Sequence, residues 1–84
     1  MDHNAILHRL TEILRDVLNE DDLVLTPETT ADDVPGWDSM THVNIIVEVE
    51  RRFRIKFYTA EIDELQSVGD FVDLIARKKA EPAS

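Results

Sequence analysis

Ser39 follows Asp38 directly and precedes His42 by three residues, so one short stretch holds the hydroxyl, imidazole and carboxylate of a hydrolytic triad. The spacing argues against that chemistry. Both side chains stand on one helical run and are tied to a single backbone, and a chain of 84 residues leaves no room for a water-excluding cleft. His3 and His8 belong to the N-terminal end, where exposure is expected. Acids are abundant, 18 Asp and Glu against 9 Lys and Arg, but abundance in a solvated stretch is not a site. The residue order of an EF-hand calcium loop is missing, and with no Cys there is neither a thiolate zinc site nor a disulfide framework. The sequence therefore reads as neither an enzyme nor a metalloprotein.

On the dipeptide alone, Ser39 reads as a helix cap. Asp38 and Ser39 are both good N-cap residues, able to accept a hydrogen bond from an otherwise unpaired N–H of the first turn. The elements around them decide how such a hydroxyl is presented. From Asn4 to Leu18 the apolar residues Ile6, Leu7, Leu10, Ile13, Leu14, Val17 and Leu18 follow the i, i+3, i+4, i+7 spacing of one helical stripe. Residues Asn19 to Asp38, broken by Pro27, Pro35 and Gly36, carry seven acids and no base and read as a loop. A loop this long in so small a chain needs anchors, and Leu23, Val24, Leu25, Val34 and Trp37 are the candidates.

A second helix is predicted from Ser39 to Phe53. At about 100° per residue, His42, Ile45, Ile46, Val49 and Phe53 share a core face, while Met40, Val43 and Val47 form a second apolar strip on the Ser39 side. The pattern leaves open whether that strip is a docking surface or is covered by a neighbouring helix. Arg54 to Tyr58 reads as an extended connector, and Thr59 to Leu65 as a short helix capped by Thr59. Ser67, with Asp70 in the capping-box position, opens a last helix through about Lys79 whose stripe is Val68, Phe71, Val72, Leu74 and Ile75. Residues 80–84, with Pro82, are expected to fray. The fold expected is all-α: a four-helix bundle with a long first loop and a short third helix, forming a single domain over residues 1–84.

Net charge is −9 and uneven, with 12 acidic and 2 basic side chains in residues 1–50 against 6 and 7 in residues 51–84. That balance disfavours nucleic acid, whose affinity comes from cations on phosphates, and favours partners with a basic surface. No apolar run approaches the roughly 18 residues of a membrane span, and no signal peptide is evident, so no membrane insertion and a cytoplasmic location are expected.

Gly36-Trp37-Asp38-Ser39-Met40 lies near mid-chain, between an acidic Pro-containing loop and an amphipathic helix that ends in Glu50-Arg51-Arg52-Phe53. Across nearly the whole chain this arrangement resembles the acyl carrier protein family, including its peptidyl and D-alanyl relatives. The resemblance implies that Ser39 is the attachment point of 4′-phosphopantetheine derived from coenzyme A, and that Asp38 is recognised by a phosphopantetheinyl transferase. It implies further that Met40, Val43 and Val47 are the docking strip. Implied partners are that transferase, an acyl- or aminoacyl-loading ligase, and a downstream synthase or transferase, with the carrier itself a monomer. The lack of Cys suits a carrier, because the pantetheine thiol would then be the only thiol present.

In many fatty-acid carriers the second helix is acidic along its exposed face. Here Thr41, Asn44, Arg51 and Arg52 stand at such positions, leaving mainly Glu48 and Glu50. A carrier dedicated to a specialised pathway, such as polyketide, nonribosomal peptide, lipid or surface-polysaccharide modification, is therefore expected. The competing reading is a non-covalent helical interaction module in which Ser39 is only an N-cap.

Overall fold

The computed structural model of the protein describes residues 2–80, which fold into α1 (His3–Leu18), α2 (Ser39–Phe53), α3 (Thr59–Asp63) and α4 (Val68–Ala80), with a 3-10 turn at Ala31–Asp33. No strand occurs among the described residues; the connector from α2 to α3 runs through residues 55–58, and Arg54, expected to be part of it, is instead the left-handed cap of α2. The apolar stripes meet in one core: Ile6, Leu10, Ile13 and Leu14 of α1, Ile45, Ile46, Val49 and Phe53 of α2, and Val68, Phe71, Val72 and Ile75 of α4. No polar or charged residue is buried as a whole among the described residues, and the one nearly covered charge that an ion pair shows, Lys78, is paired with Glu61. The core is thus held by removal of apolar surface from water, about 1.5–3 kcal/mol for each fully buried large side chain, without the penalty of an unpaired buried charge.

The helix ends are set by local hydrogen bonds. α1 begins one residue before Asn4, because the Asp2 carboxylate accepts the Ala5 N–H at 2.8 Å. It stops at Asn19 in the left-handed region (φ 56°), and Glu20 N–H returns to the Arg15 carbonyl at 3.0 Å. α2 ends in the same way at Arg54 (φ 58°), with Ile55 N–H on the Glu50 carbonyl.

α3 is shorter than predicted, ending at Asp63, and Thr59 is its first helical residue rather than its cap. Tyr58 holds the cap position, its N–H donating to the Glu61 carboxylate at 2.9 Å. Lys78 of α4 pairs with that carboxylate at 2.7 Å, and this bond above all holds Glu61 below the usual carboxylate range. α4 opens as expected: Ser67 Oγ accepts the Asp70 N–H and the Asp70 carboxylate accepts the Ser67 N–H. It continues to Ala80, which is therefore helical and not part of a frayed tail; residues 81–84 of that tail lie outside the described residues.

The loop between α1 and α2 is pinned at several points. Leu25 and Val34 are buried, and Leu23 and Trp37 pack partly against the core. Val24, expected as an anchor, is instead 73% exposed; in an extended run its side chain points opposite to those of Leu23 and Leu25. Arg15 Nε donates to the Leu23 carbonyl at 2.8 Å. The first free N–H groups of α4 find their acceptors in this loop, Val68 N–H on Thr29 O at 2.7 Å and Gly69 N–H on Pro27 O at 2.8 Å. A Cβ at Gly69 would stand 2.9 Å from that same Pro27 oxygen. Gly69→Ala should therefore push the loop off α4 and lower unfolding stability by about 1–3 kcal/mol, measurable as a reduced urea midpoint at unchanged slope.

Candidate functional site

The chain reaches α2 through a tight turn. Trp37 N–H donates to the Val34 carbonyl at 3.2 Å across Pro35 and Gly36. Gly36 has φ 87°, a conformation that the third position of a type II turn requires and that residues with a Cβ rarely adopt. The turn delivers Asp38 in extended conformation as the N-cap of α2. Its carboxylate accepts the Thr41 N–H at 2.9 Å, and its carbonyl accepts the His42 N–H at 2.8 Å. The Thr41 N–H, and then the Thr41 hydroxyl, hold the Asp38 carboxyl below the usual carboxylate range.

Of the two possible caps, Asp38 takes the role and Ser39 does not. Ser39 is the first helical residue, exposed, and its hydroxyl makes no hydrogen bond among the described residues. This corrects the reading of Ser39 as an N-cap. The next positions on the same side are open as well: Met40 is 80% exposed, Val43 60% and Val47 54%, so no neighbouring helix covers the apolar strip.

His42 turns the other way. Its Nδ1 accepts a hydrogen bond from Trp37 Nε1 at 3.0 Å, and the two rings lie nearly parallel, 25° apart with centroids at 6.0 Å. No hydrogen bond joins His42 to Ser39, so the triad geometry is not formed. The sequence placed Trp37 in the loop and His42 on the core face but did not pair them, since the contact spans the boundary between two elements. A cleft of about 30 Å³ beneath these rings, room for about one water molecule, is lined by Ala31, Leu65, Gln66, Ser67 and Phe71. A wider groove bordered by Glu61, Glu64, Asp73 and Arg77 contains none of residues 38–47.

The surroundings of Ser39 suit a covalently attached phosphate ester. The oxygen is solvent-facing and unpartnered, and the first turn of a helix presents N–H donors to phosphate oxygens beside it. Among the described residues no cluster able to hold a metal ion occurs, and no helix is long and apolar enough to cross a membrane.

Because the cap is Asp38, substitutions at the two positions should separate. Ser39→Ala should stay within about 0.5 kcal/mol of wild type in thermal unfolding, whereas Asp38→Ala should lower stability and Asp38→Asn should retain most of it. The Asp38 contribution is in full above the ordinary aspartate value of 3.8 and is lost as pH falls through its lowered native value. The Thr41 amide resonance should titrate with that lowered midpoint.

Comparison with known proteins bears on the whole chain. The family model described as "Phosphopantetheine attachment site" matches residues 8–75. Among curated proteins, the chain is 28% identical over 80 residues to the acyl carrier protein of Syntrophobacter fumaroxidans, covering 95% of this chain and 99% of that one. It is 34% identical over 71 residues to the acyl carrier protein of Acidothermus cellulolyticus, covering 84% of each. Among solved structures, the holo acyl carrier protein from Geobacter metallireducens superposes with a TM-score of 0.85 at 45% identity, over 89% of this chain and 86% of that one. The acyl carrier protein of Thermotoga maritima, at 22% identity and TM-score 0.81 over 93% and 91%, shows the same fold. With its all-helical architecture and the match to a phosphopantetheine attachment domain, the chain belongs to the acyl carrier protein family: it is a carrier bearing covalent 4′-phosphopantetheine, not an enzyme.

Proposed function

We propose that Ser39 Oγ is the atom that bears the 4′-phosphopantetheine, that Asp38 is read by the transferase that installs it, and that Met40, Val43 and Val47 are the strip on which partner enzymes dock. One observation carries the assignment: Ser39 is exposed and unpartnered beside a cap that Asp38 already fills. When attached, the group supplies a thiol on a flexible arm, which holds cargo as a thioester. The chain's own residues keep the point of attachment open and offer a small apolar contact. Tethering raises the effective concentration of cargo at each partner's active site, so brief docking suffices.

We further propose a single carrier domain spanning the chain, acting as a monomer in the cytoplasm and carrying acyl or aminoacyl cargo in a dedicated pathway. Support for a dedicated pathway comes from the exposed face of α2. Glu48 is engaged by both Arg51 and Arg52, at 3.2 and 3.1 Å, and Arg52 also reaches Asp16. Little uncompensated acidity is left on that face, and the unpaired acids concentrate in the loop before Ser39. A loading ligase and a downstream synthase with basic surfaces facing that loop fit this distribution.

Intact-protein mass spectrometry after incubation with coenzyme A, magnesium and a broad-specificity transferase should show the gain of one phosphopantetheine on wild type and none on Ser39→Ala. No gain on the folded wild type would favour a non-covalent interaction module. Val43→Asp should leave the fold intact, since Val43 is exposed, and lower loading by the cognate ligase roughly tenfold or more, the size expected for one interface contact. Elongation by general fatty-acid synthase enzymes as efficient as that of the housekeeping carrier would overturn the dedicated-pathway assignment.

A further inference from the structure

The contact between Trp37 and His42 flanks the attachment site on both sides. Trp37 stands two residues before Ser39, and His42 three residues after it, so the hydrogen bond between them bridges the attachment site from the loop to the first turn of α2. It closes a short ring of structure around the cap: the turn through Gly36, the Asp38 carboxylate on Thr41 N–H, the Asp38 carbonyl on His42 N–H, and the indole on the imidazole.

Resting on the assignment of Ser39 above, we propose that Trp37 and His42 are positioning residues for its modification, the imidazole accepting the indole N–H and so holding the Gly36–Ser39 segment in the form the transferase binds. The chemistry of the pair is asymmetric. An indole can only donate, so Nδ1 of His42 must be unprotonated to accept, and the imidazolium has no lone pair there to offer. A protonated His42 therefore releases Trp37 and leaves the segment held by the Asp38 cap alone.

The environment favours the accepting form at neutral pH. The side chains lining the cleft beneath the pair, Ala31 of the 3-10 turn, Leu65, Gln66 and Ser67 between α3 and α4, and Phe71 of α4, are all uncharged. The same elements also bear Asp32 and Asp33, Glu64 and Asp70, and Asp38 caps His42's own helix; all are exposed and none of them lines the cleft. These anions favour the imidazolium, yet burial prevails and pushes His42 below its ordinary value of 6.5. The bond is thus intact above that range and lost as pH falls through the lowered native value.

The chain has a single Trp, so its fluorescence reports Trp37 alone. Wild type should show an emission change titrating below pH 6.5, absent in His42→Gln. Steady-state phosphopantetheinylation of wild type, Trp37→Phe, His42→Gln and His42→Leu, at pH 7.5 and at a pH below the midpoint of the wild-type fluorescence titration, supplies the second readout. If only the held segment is bound, Trp37→Phe and His42→Leu should raise KM for the carrier roughly 2- to 10-fold at pH 7.5, the range of one net hydrogen bond, with kcat and KM for coenzyme A unchanged. His42→Gln, whose amide oxygen can accept, should restore part of the loss, and the ratio of wild type to Trp37→Phe should fall towards one below the midpoint at which the wild-type fluorescence titrates. An unchanged carrier KM in Trp37→Phe, a ratio independent of pH, or wild-type fluorescence that does not titrate would overturn the proposal. Failure of wild type to take up the group, or uptake by Ser39→Ala, would overturn the assignment of Ser39 and the positioning role with it.

Discussion

The N–H groups at the start of α4 have no acceptor within their own helix, and the acceptors they use, Thr29 O and Pro27 O, belong to the loop that leads to α2. Much of the arrangement depends on this borrowing. It lets a stretch rich in acids and prolines hold one course across the end of the bundle, with Leu25 and Val34 inserted into the core and Arg15 fastening Leu23. The loop in turn sets where the chain arrives at Gly36 and in what direction it enters α2. Gly69 matters to this because the close approach leaves no space for a side chain.

Where a single helix buries one face, the sequence was sufficient. The stripes of α1, α2 and α4 appear in the core at the positions their periodicity indicated, and the Ser67–Asp70 box opens α4 as read. Difficulty arose where two neighbours are chemically alike or where no period operates. Asp38 and Ser39 are both capable caps, and only the backbone geometry of the preceding turn decides between them. Leu23, Val24 and Leu25 are three apolar residues in an irregular segment, so their order does not reveal that Val24 faces solvent. The five residues of α3 are too few for a helical signal to separate Thr59 from Tyr58 as the cap. The Trp37–His42 contact was hidden for another reason: it joins a loop to a helix, and no rule of spacing within one element produces it.

Site and scaffold have complementary demands on the same few residues. A carrier must show its partners a hydroxyl, later an arm, and a modest apolar surface, while keeping its own core closed. Here the division runs along α2, with Ile45, Ile46, Val49 and Phe53 inside and Met40, Val43 and Val47 outside. On the proposed reading, the outer strip would serve brief association, and the acids of the preceding loop would add a long-range attraction to basic partners that salt screens. The cations gathered near the C-terminal ends of α2 and α4, where Lys79 also holds the Phe53 carbonyl, face the opposite pole.

The placement of the cap on Asp38 has a thermodynamic consequence. A covalent group on Ser39 takes the place of no hydrogen bond in the fold, since that hydroxyl has none to surrender. By linkage, the attachment shifts the folding equilibrium only through what the group itself meets in the folded state, such as its phosphate beside the N–H groups of the first turn. Nothing in the body has to rearrange to admit the arm, so a partner telling empty from loaded chains has the arm itself to read.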